Sequence, residues 1–297
     1  HLIPLGLALK LRGARVVYDV HEDYPAHART KLLDKPARRA LKPLVWRAFE
    51  AVARRTFDGF VCATPAIARR FPPGRTSLVR NVPRLEGFET AASVPWSERE
   101  NVAIYAGLLT TARGTPEMVE MIELLPADLS ARLVLLGDFR VRRVEADLRA
   151  RPSWAKVDYL GFLSRPEMID RLGTARVGLA VLHPFPNHLE AMPTKLFEYM
   201  AAGLPVVASD FPLWRELFAQ VGCGLVVDPL DPAAIANAVA YLLTHPAEAE
   251  AMGRRGRAAI EARHNWRFEE PELLALYERL APHRDGAAPR RASREER

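Results

Sequence analysis

The chain has 297 residues, of which 49% are apolar and 26% charged, with a formal net charge of +6; this is ordinary for a soluble globular protein of about two domains. Two cysteines, Cys62 and Cys223, stand far apart in the sequence, which argues against a disulfide framework and suits a reducing compartment. No apolar run approaches the ~18 residues of a membrane span, and the arginines are scattered rather than gathered in a basic run interleaved with aromatics, which argues against nucleic acid as a partner.

Residues 2–11 read as a helix closed by Gly13, and 15–20 as a buried strand. The loop at 21–25 then lies at the C-terminal end of that strand, where open α/β sheets gather ligands, and this makes His21 a candidate. The plainer reading of a lone loop histidine is a bond to a backbone group. Residues 35–55 form a basic amphipathic helix, with Leu41, Leu44, Val45, Ala48, Phe49 and Val52 as its stripe and Arg38, Arg39, Lys42, Arg47, Arg54 and Arg55 around it. Packing on a sheet with the charges in water is the preferred reading; lying on anionic lipid is the other. A strand at 58–63, a helix at 65–71 and a strand at 77–81 follow. The stretch 84–100 has no period and reads as an interdomain linker. So few strands in the first segment suggest that it is incomplete and that the chain lacks its natural N-terminus.

The second segment opens with a strand at 101–106 that ends at Gly107, followed by a loop, 108–114, carrying Arg113. A glycine at a strand exit lets the backbone approach a phosphate closely. A strand at 132–136 leads into Gly137 and Asp138, and residues 156–160 lead to Gly161, Phe162 and Leu163. A helix at 165–172 and a strand at 177–182 precede a loop that holds His183, His188 and Glu190. These three are spaced irregularly rather than on one helical face, which argues against a metal site. After Pro193 comes a helix whose apolar face is Leu196, Phe197, Met200 and Ala201; Gly203 ends it, and a strand runs over 204–208. Thr194 and Lys195 occupy the first turn, where free N–H groups and the positive dipole end favour an anion. Glu190 and Glu198, with seven residues between them, add acceptors for hydroxyls. Together they point to a ligand bearing both phosphate and sugar hydroxyls; the bland alternative is a solvated helix with two incidental glutamates. A turn at 226–232, helices at 233–243, 247–263 and 266–280, and a charged tail at 284–297 that reads as disordered complete the chain.

Glu190-x7-Glu198, followed by Gly203-Leu-Pro-Val-Val, resembles the signature of retaining GT-B glycosyltransferases of family 4 (glycosyl transferases group 1). The wording from Pro193 to Met200, Pro-Thr-Lys-Leu-Phe-Glu-Tyr-Met, resembles a bacterial branch that builds surface polysaccharides. The resemblance extends over almost the whole chain. It implies an α/β fold in which two Rossmann-like parallel-sheet domains face each other across a cleft. Residues 1–97 would be an incomplete N-terminal, acceptor-side domain and 98–265 the donor-nucleotide domain. Residues 266–283 would be a helix crossing back to the first domain, and 284–297 a disordered tail.

The same resemblance implies transfer of a sugar from a nucleotide-diphosphate sugar to a glycan or lipid-linked acceptor. His21, Glu190 and Lys195 would be catalytic; Gly107, Arg113, Gly137, Leu163, Thr194 and Glu198 would bind the donor. Arg113 and Lys195 would hold the diphosphate, Glu198 the ribose, Glu190 and His21 the transferred sugar, and the backbone between Gly137 and Leu163 the base. Leu108 departs from the pattern, because a basic residue commonly follows the first glycine. Neither metal nor another cofactor is implied; a cytoplasmic location is expected, with peripheral contact at the inner membrane face through the helix around 38–55 as the alternative to its packing on the sheet. Two alternatives stand beside it. One is another enzyme on this fold, an epimerase or phosphorylase, whose acid/base carboxylates or lysine-bound cofactor site the residues do not identify. The other is a module that binds nucleotide sugar without transferring it.

Overall fold

Two parallel sheets organise the computed structural model, which describes residues 2–21 and 36–281. The first contains β1 (Val17–Val20), β2 (Gly59–Cys62) and β3 (Thr76–Leu78), paired in that order. Helices α1 (Ile3–Leu11) and α2 (Pro36–Thr56) precede β1 and β2, and the short α3 (Pro65–Ala68) follows β2. One face of the sheet packs Phe60, Cys62 and Val20 against Ile3, Ala53, Phe57 and Phe71. Gly6 makes the seat for α1: a Cβ there would lie 2.7 Å from the Phe57 ring. The opposite face is closed by the last helix, through Leu276 with Leu273, Leu280 and Trp266.

The second sheet has six parallel strands: β4 (Val102–Ala106), β5 (Arg132–Leu136), β6 (Val157–Gly161), β7 (Val177–Ala180), β8 (Val206–Ser209) and β9 (Gly224–Val227). Their order is β6-β5-β4-β7-β8-β9. The central strands β4, β7 and β8 are buried at every position, the near-continuous apolar run expected where helices cover both faces. On one face lie α5 (Thr115–Leu124) and α11 (Pro232–Thr244), in a core that includes Met118, Ile122, Ile235 and Val239. On the other lie α7 (Arg165–Thr174), α9 (Thr194–Ala201), α10 (Pro212–Val221) and α12 (Pro246–Ala262), with Leu172, Leu196, Phe197, Trp214 and Ile260 buried between them. The remaining helices are α4 (Phe88–Ser93), α6 (Arg142–Arg149), α8 (Pro186–Leu189) and α13 (Trp266–Leu280).

One sequence expectation needs correction. The stretch 84–100 is not an irregular linker up to residue 97: it contains α4 and a 3-10 turn, Trp96–Glu98, and Phe88 and Ala91 are buried in the core of the second sheet. A six-residue helix is too short to show a period, and Gly87, in the left-handed region at φ 90°, sets its start. The chain therefore crosses from the first sheet to the second before Phe88. It returns at α13, where the Trp266 N–H donates to Pro83 O (3.0 Å) and buried Glu269 accepts from both the backbone N–H and the guanidinium of Arg80. The expectations for residues 22–25 of the loop after His21 and for the tail 284–297 lie outside the described residues. Among the described residues no helix is long and apolar enough to cross a membrane.

Candidate functional site

Strand order reverses between β4 and β7, and in open α/β sheets ligands bind in the crevice outside such a switch point. A cavity of about 580 Å³ lies there. The first sheet contributes His21, Thr64 and Asn81 to its lining; the second contributes Leu108, Arg113, Arg140, His188, Glu190, Thr194, Lys195 and Glu198. Six of the nine residues singled out from the sequence, His21, Arg113, Glu190, Thr194, Lys195 and Glu198, thus face one space.

Helix α9 brings in Lys195 and Glu198. Pro193 is its N-cap, so the helix starts one residue later than expected from the sequence, and Gly203, at φ 70°, follows its end. Its inner face is bolted to the sheet: Tyr199 lies against Gly178 of β7, where a Cβ would come within 2.6 Å of the ring, and its hydroxyl accepts the Ala106 N–H at 2.9 Å. Lys195 and Glu198 are thereby held at the exit of β4.

Lys195 is buried, 6% exposed, and its Nζ has no hydrogen-bond partner. The ammonium sits 3.6 Å from the centre of the Tyr105 ring, a cation–π contact that offsets only part of the cost of leaving water. Burial, then the charge of Arg113, depress its pKa well below the usual lysine value, against an opposing pull from Glu198. Glu198 is held above the ordinary carboxylate range by burial, opposed by Arg165 and Lys195; Arg165 Nη1 lies 3.5 Å from its Oε1. Arg113 ends a 3-10 turn, Thr111–Arg113, and is hydrogen-bonded to the Tyr105 phenol, whose pKa burial pushes up to about 12; the phenol O–H donates to Leu108 O at 3.0 Å. Of the cations here, Lys195 is the one whose charged nitrogen is buried with no acceptor of its own, and a buried charge of that kind is suited to an anionic ligand.

The three remaining candidates are placed differently. Gly107 takes φ 138°, and a Cβ on it would lie 2.9 Å from Lys195 Nζ, so glycine makes room for the lysine. Gly137 takes φ 118°, and a Cβ would fall 2.2 Å from Gly107 O, so it lets the exits of β4 and β5 run together. Leu163 is partly buried, its side chain packed against the core of the second sheet. None of these three lines the cavity. His21 and Glu190 stand at its exposed edge, and His21 Nε2 lies 2.8 Å from Asp19 Oδ2. No group of three His, Cys, Asp or Glu side chains suited to a metal ion is found among the described residues.

Sequence reasoning missed Tyr105, Arg165 and Arg140. Tyr105 reads as one more apolar residue of a buried strand; its only signal is a hydroxyl just before Gly107. Arg165 meets Glu198 across 33 positions of sequence, which no local pattern reveals.

Residues 88–259 match the family model described as Glycosyl transferases group 1. The chain is 32% identical over 118 residues to the D-rhamnosyltransferase WbpZ of Pseudomonas aeruginosa, an alignment covering 39% of this chain and 30% of that protein. It is 29% identical over 200 residues to the D-inositol 3-phosphate glycosyltransferase of Segniliparus rotundus, covering 66% of this chain and 43% of that one. The chain thus spans less than half the length of these curated relatives. Among solved structures, Anabaena HepE in complex with UDP superposes with a TM-score of 0.72 at 15% identity, over 94% of this chain and 76% of that one. Sucrose-phosphate synthase from Thermosynechococcus elongatus gives 0.71 at 23% identity, over 92% and 70%. This likeness establishes the GT-B fold expected from the sequence.

Proposed function

The chain belongs to the glycosyl transferases group 1 family, and from that premise we propose that it transfers a sugar, with retention, from a nucleoside diphosphate sugar to a glycan or lipid-linked acceptor. The observation that carries the reading is the buried, unpartnered Lys195 in the first turn of α9, beside Arg113 and facing the switch point. These groups receive the diphosphate, together with the free N–H groups at Thr194. Their stabilisation grows as the bond from the anomeric carbon to the phosphate oxygen breaks and negative charge gathers on the leaving group. The acceptor oxygen bonds to the anomeric carbon on the same face, and its proton passes to the departing phosphate. Glu198 holds the ribose hydroxyls, steadied by Arg165, while Glu190 and His21 orient the transferred sugar. The exits at Gly107, Gly137 and Leu163 supply backbone to the nucleotide. HepE, a structural neighbour, is bound to UDP, and this supports a nucleotide donor here.

Contact with a cell membrane's inner face belongs to the same proposal. It is supported by α2, where Leu44 and Val52 are exposed alongside Arg47, Arg54 and Arg55.

The test is substitution of Glu198 by alanine. Its ribose role predicts that a 2′,3′-dideoxy nucleoside diphosphate binds the parent about tenfold more weakly than the ribo form, a loss of ~1.4 kcal/mol, and that the mutant hardly distinguishes the two. Equal discrimination in both proteins would remove Glu198 from the ribose. Donor hydrolysis or transfer separates an enzyme from a module that only binds.

A further inference from the structure

Behind the donor cleft lies a polar contact that the proposed reaction leaves unused. Glu117, in the first turn of α5, approaches His183, in the loop after β7, with Oε1 and Nε2 3.0 Å apart. Both side chains are largely buried, 16% and 14% exposed, and neither residue lines the cavity. The approach lacks the alignment of a hydrogen bond, and neither Glu117 Oε2 nor His183 Nε2 has another partner. A largely buried carboxylate and imidazole at this separation join a helix to a loop no more strongly than an apolar pair of similar volume would. What such a pair adds is orientation.

The surrounding backbone shows what would be oriented. The His183 N–H donates to Ala112 O at 3.0 Å, tying the start of the loop to the turn that carries Arg113. Gly114 allows this close approach: at φ 74°, a Cβ on it would fall 2.0 Å from Val181 O. The His183 carbonyl then accepts twice, from the Phe185 N–H at 2.8 Å and from His188 Nδ1 at 2.9 Å. The His183 ring also stacks on Phe185, with centroids 6.2 Å apart. His188 lines the cleft, and Glu190 follows two residues later. The two walls of the donor site, the Arg113 turn and the loop bearing Glu190, are therefore joined at one residue, and Glu117 grips that residue from behind.

We propose that Glu117 and His183 are positioning residues for the transfer, acting as a brace that holds the Glu190 loop in register with the Arg113 turn. The inference rests on the functional reading above. It separates the two things the cleft must do, because Arg113 and Lys195 reach the diphosphate without the brace, whereas Glu190 reaches the sugar through the loop that the brace holds. Removing the brace should spare nucleotide affinity and slow chemistry.

The experiment compares the parent with Glu117→Ala, His183→Ala and His183→Gln. Gln places an amide N–H near the position of the imidazole Nε2 and so keeps a donor facing Glu117. The probe is whichever of UDP, GDP or ADP the parent binds most tightly, together with its glucose or mannose conjugate. Glu117→Ala and His183→Ala should bind the nucleoside diphosphate within twofold of the parent, turn over the conjugate about tenfold more slowly, and exchange amide hydrogens about tenfold faster over 183–192 in the nucleotide-bound state. His183→Gln should recover most of both losses. Unchanged exchange over 183–192 in both disrupting variants would overturn the brace, as would nucleotide affinity falling in step with turnover. A parent that turns over none of the conjugates would sink the functional reading, while the exchange measurement would still decide whether the brace holds the loop.

Discussion

Helix α9 has a buried cation at each end, and the two are opposites. At the N-terminal end, Lys195 is enclosed with no acceptor, where the helix dipole is itself positive. At the C-terminal end, Arg99 is 5% exposed, but its guanidinium donates to Ala202 O, Ala91 O and Val94 O at 3.1, 3.0 and 3.3 Å and reaches Ala175 O at 3.5 Å. Those carbonyls belong to the ends or flanks of α4, α7 and α9, so one cation closes three helices at their negative ends. Burial lowers the pKa of both groups. A buried charge whose three nitrogens are all bonded to carbonyls is part of the architecture. One with no acceptor, like Lys195, is the group that the proposed function assigns to a diphosphate.

The largest expected effect is at the architectural end. Arg99→Met should cost about 3 kcal/mol, because it strands helix-end carbonyls in a buried site, and thermal unfolding should drop by roughly 8 °C. A loss under about 1 kcal/mol would mean that the carbonyls are satisfied without Arg99, and the contrast would fail. Lys195→Met should act in the other direction in the absence of ligand. Removing an unpartnered ammonium from an apolar setting should stabilise the empty protein by on the order of 1 kcal/mol, read by urea denaturation. A clear destabilisation would make Lys195 structural too.

The smallest effect is on pH dependence. Because the folded protein lowers the Lys195 pKa below the ordinary 10.5, the unfolded chain binds more protons in the window just beneath that value. Stability of the ligand-free protein should therefore rise with pH there, and Lys195→Met should flatten that rise. Glu198 works at the acid end with the opposite sign. Its pKa is raised above 4.5, so the folded protein keeps a proton that the unfolded chain releases, and stability should fall as pH climbs just past that value. Urea midpoints across the two windows would check both slopes.

The two ends of α9 also differ in how readable they were. The helix, its stop at Gly203 and the presence of Lys195 and Glu198 in one anion-ready first turn and a half follow from local residue order, since a helix places positions three apart on one face. The strands β4, β7 and β8 were equally plain, being apolar runs bounded by glycine and proline. Arg99 was hidden among scattered arginines, because its meaning depends on carbonyls from three helices, two of them remote in sequence. Tyr105 was concealed by its strand, and the brace at Glu117 and His183 spans 66 positions by difference of residue numbers. Helix α4 was lost for a simpler reason, having too few residues to express a period. Contacts that close across the switch point carry the site's electrostatics, and these are the ones a linear pattern omits.

The central claim is that Lys195 is the cleft's waiting cation, and calorimetric titration of a nucleoside diphosphate at alkaline pH tests it most directly. The titration is run in two buffers of different ionisation enthalpy, with the parent and with Lys195→Met. The arriving diphosphate supplies the counter-charge that the empty site lacks, so the parent should take up a proton on binding and should bind about a hundredfold more tightly than the mutant, a difference of ~2.7 kcal/mol. The mutant should show no such uptake. Equal affinity in the two proteins, with the same heat in both buffers, would contradict the account.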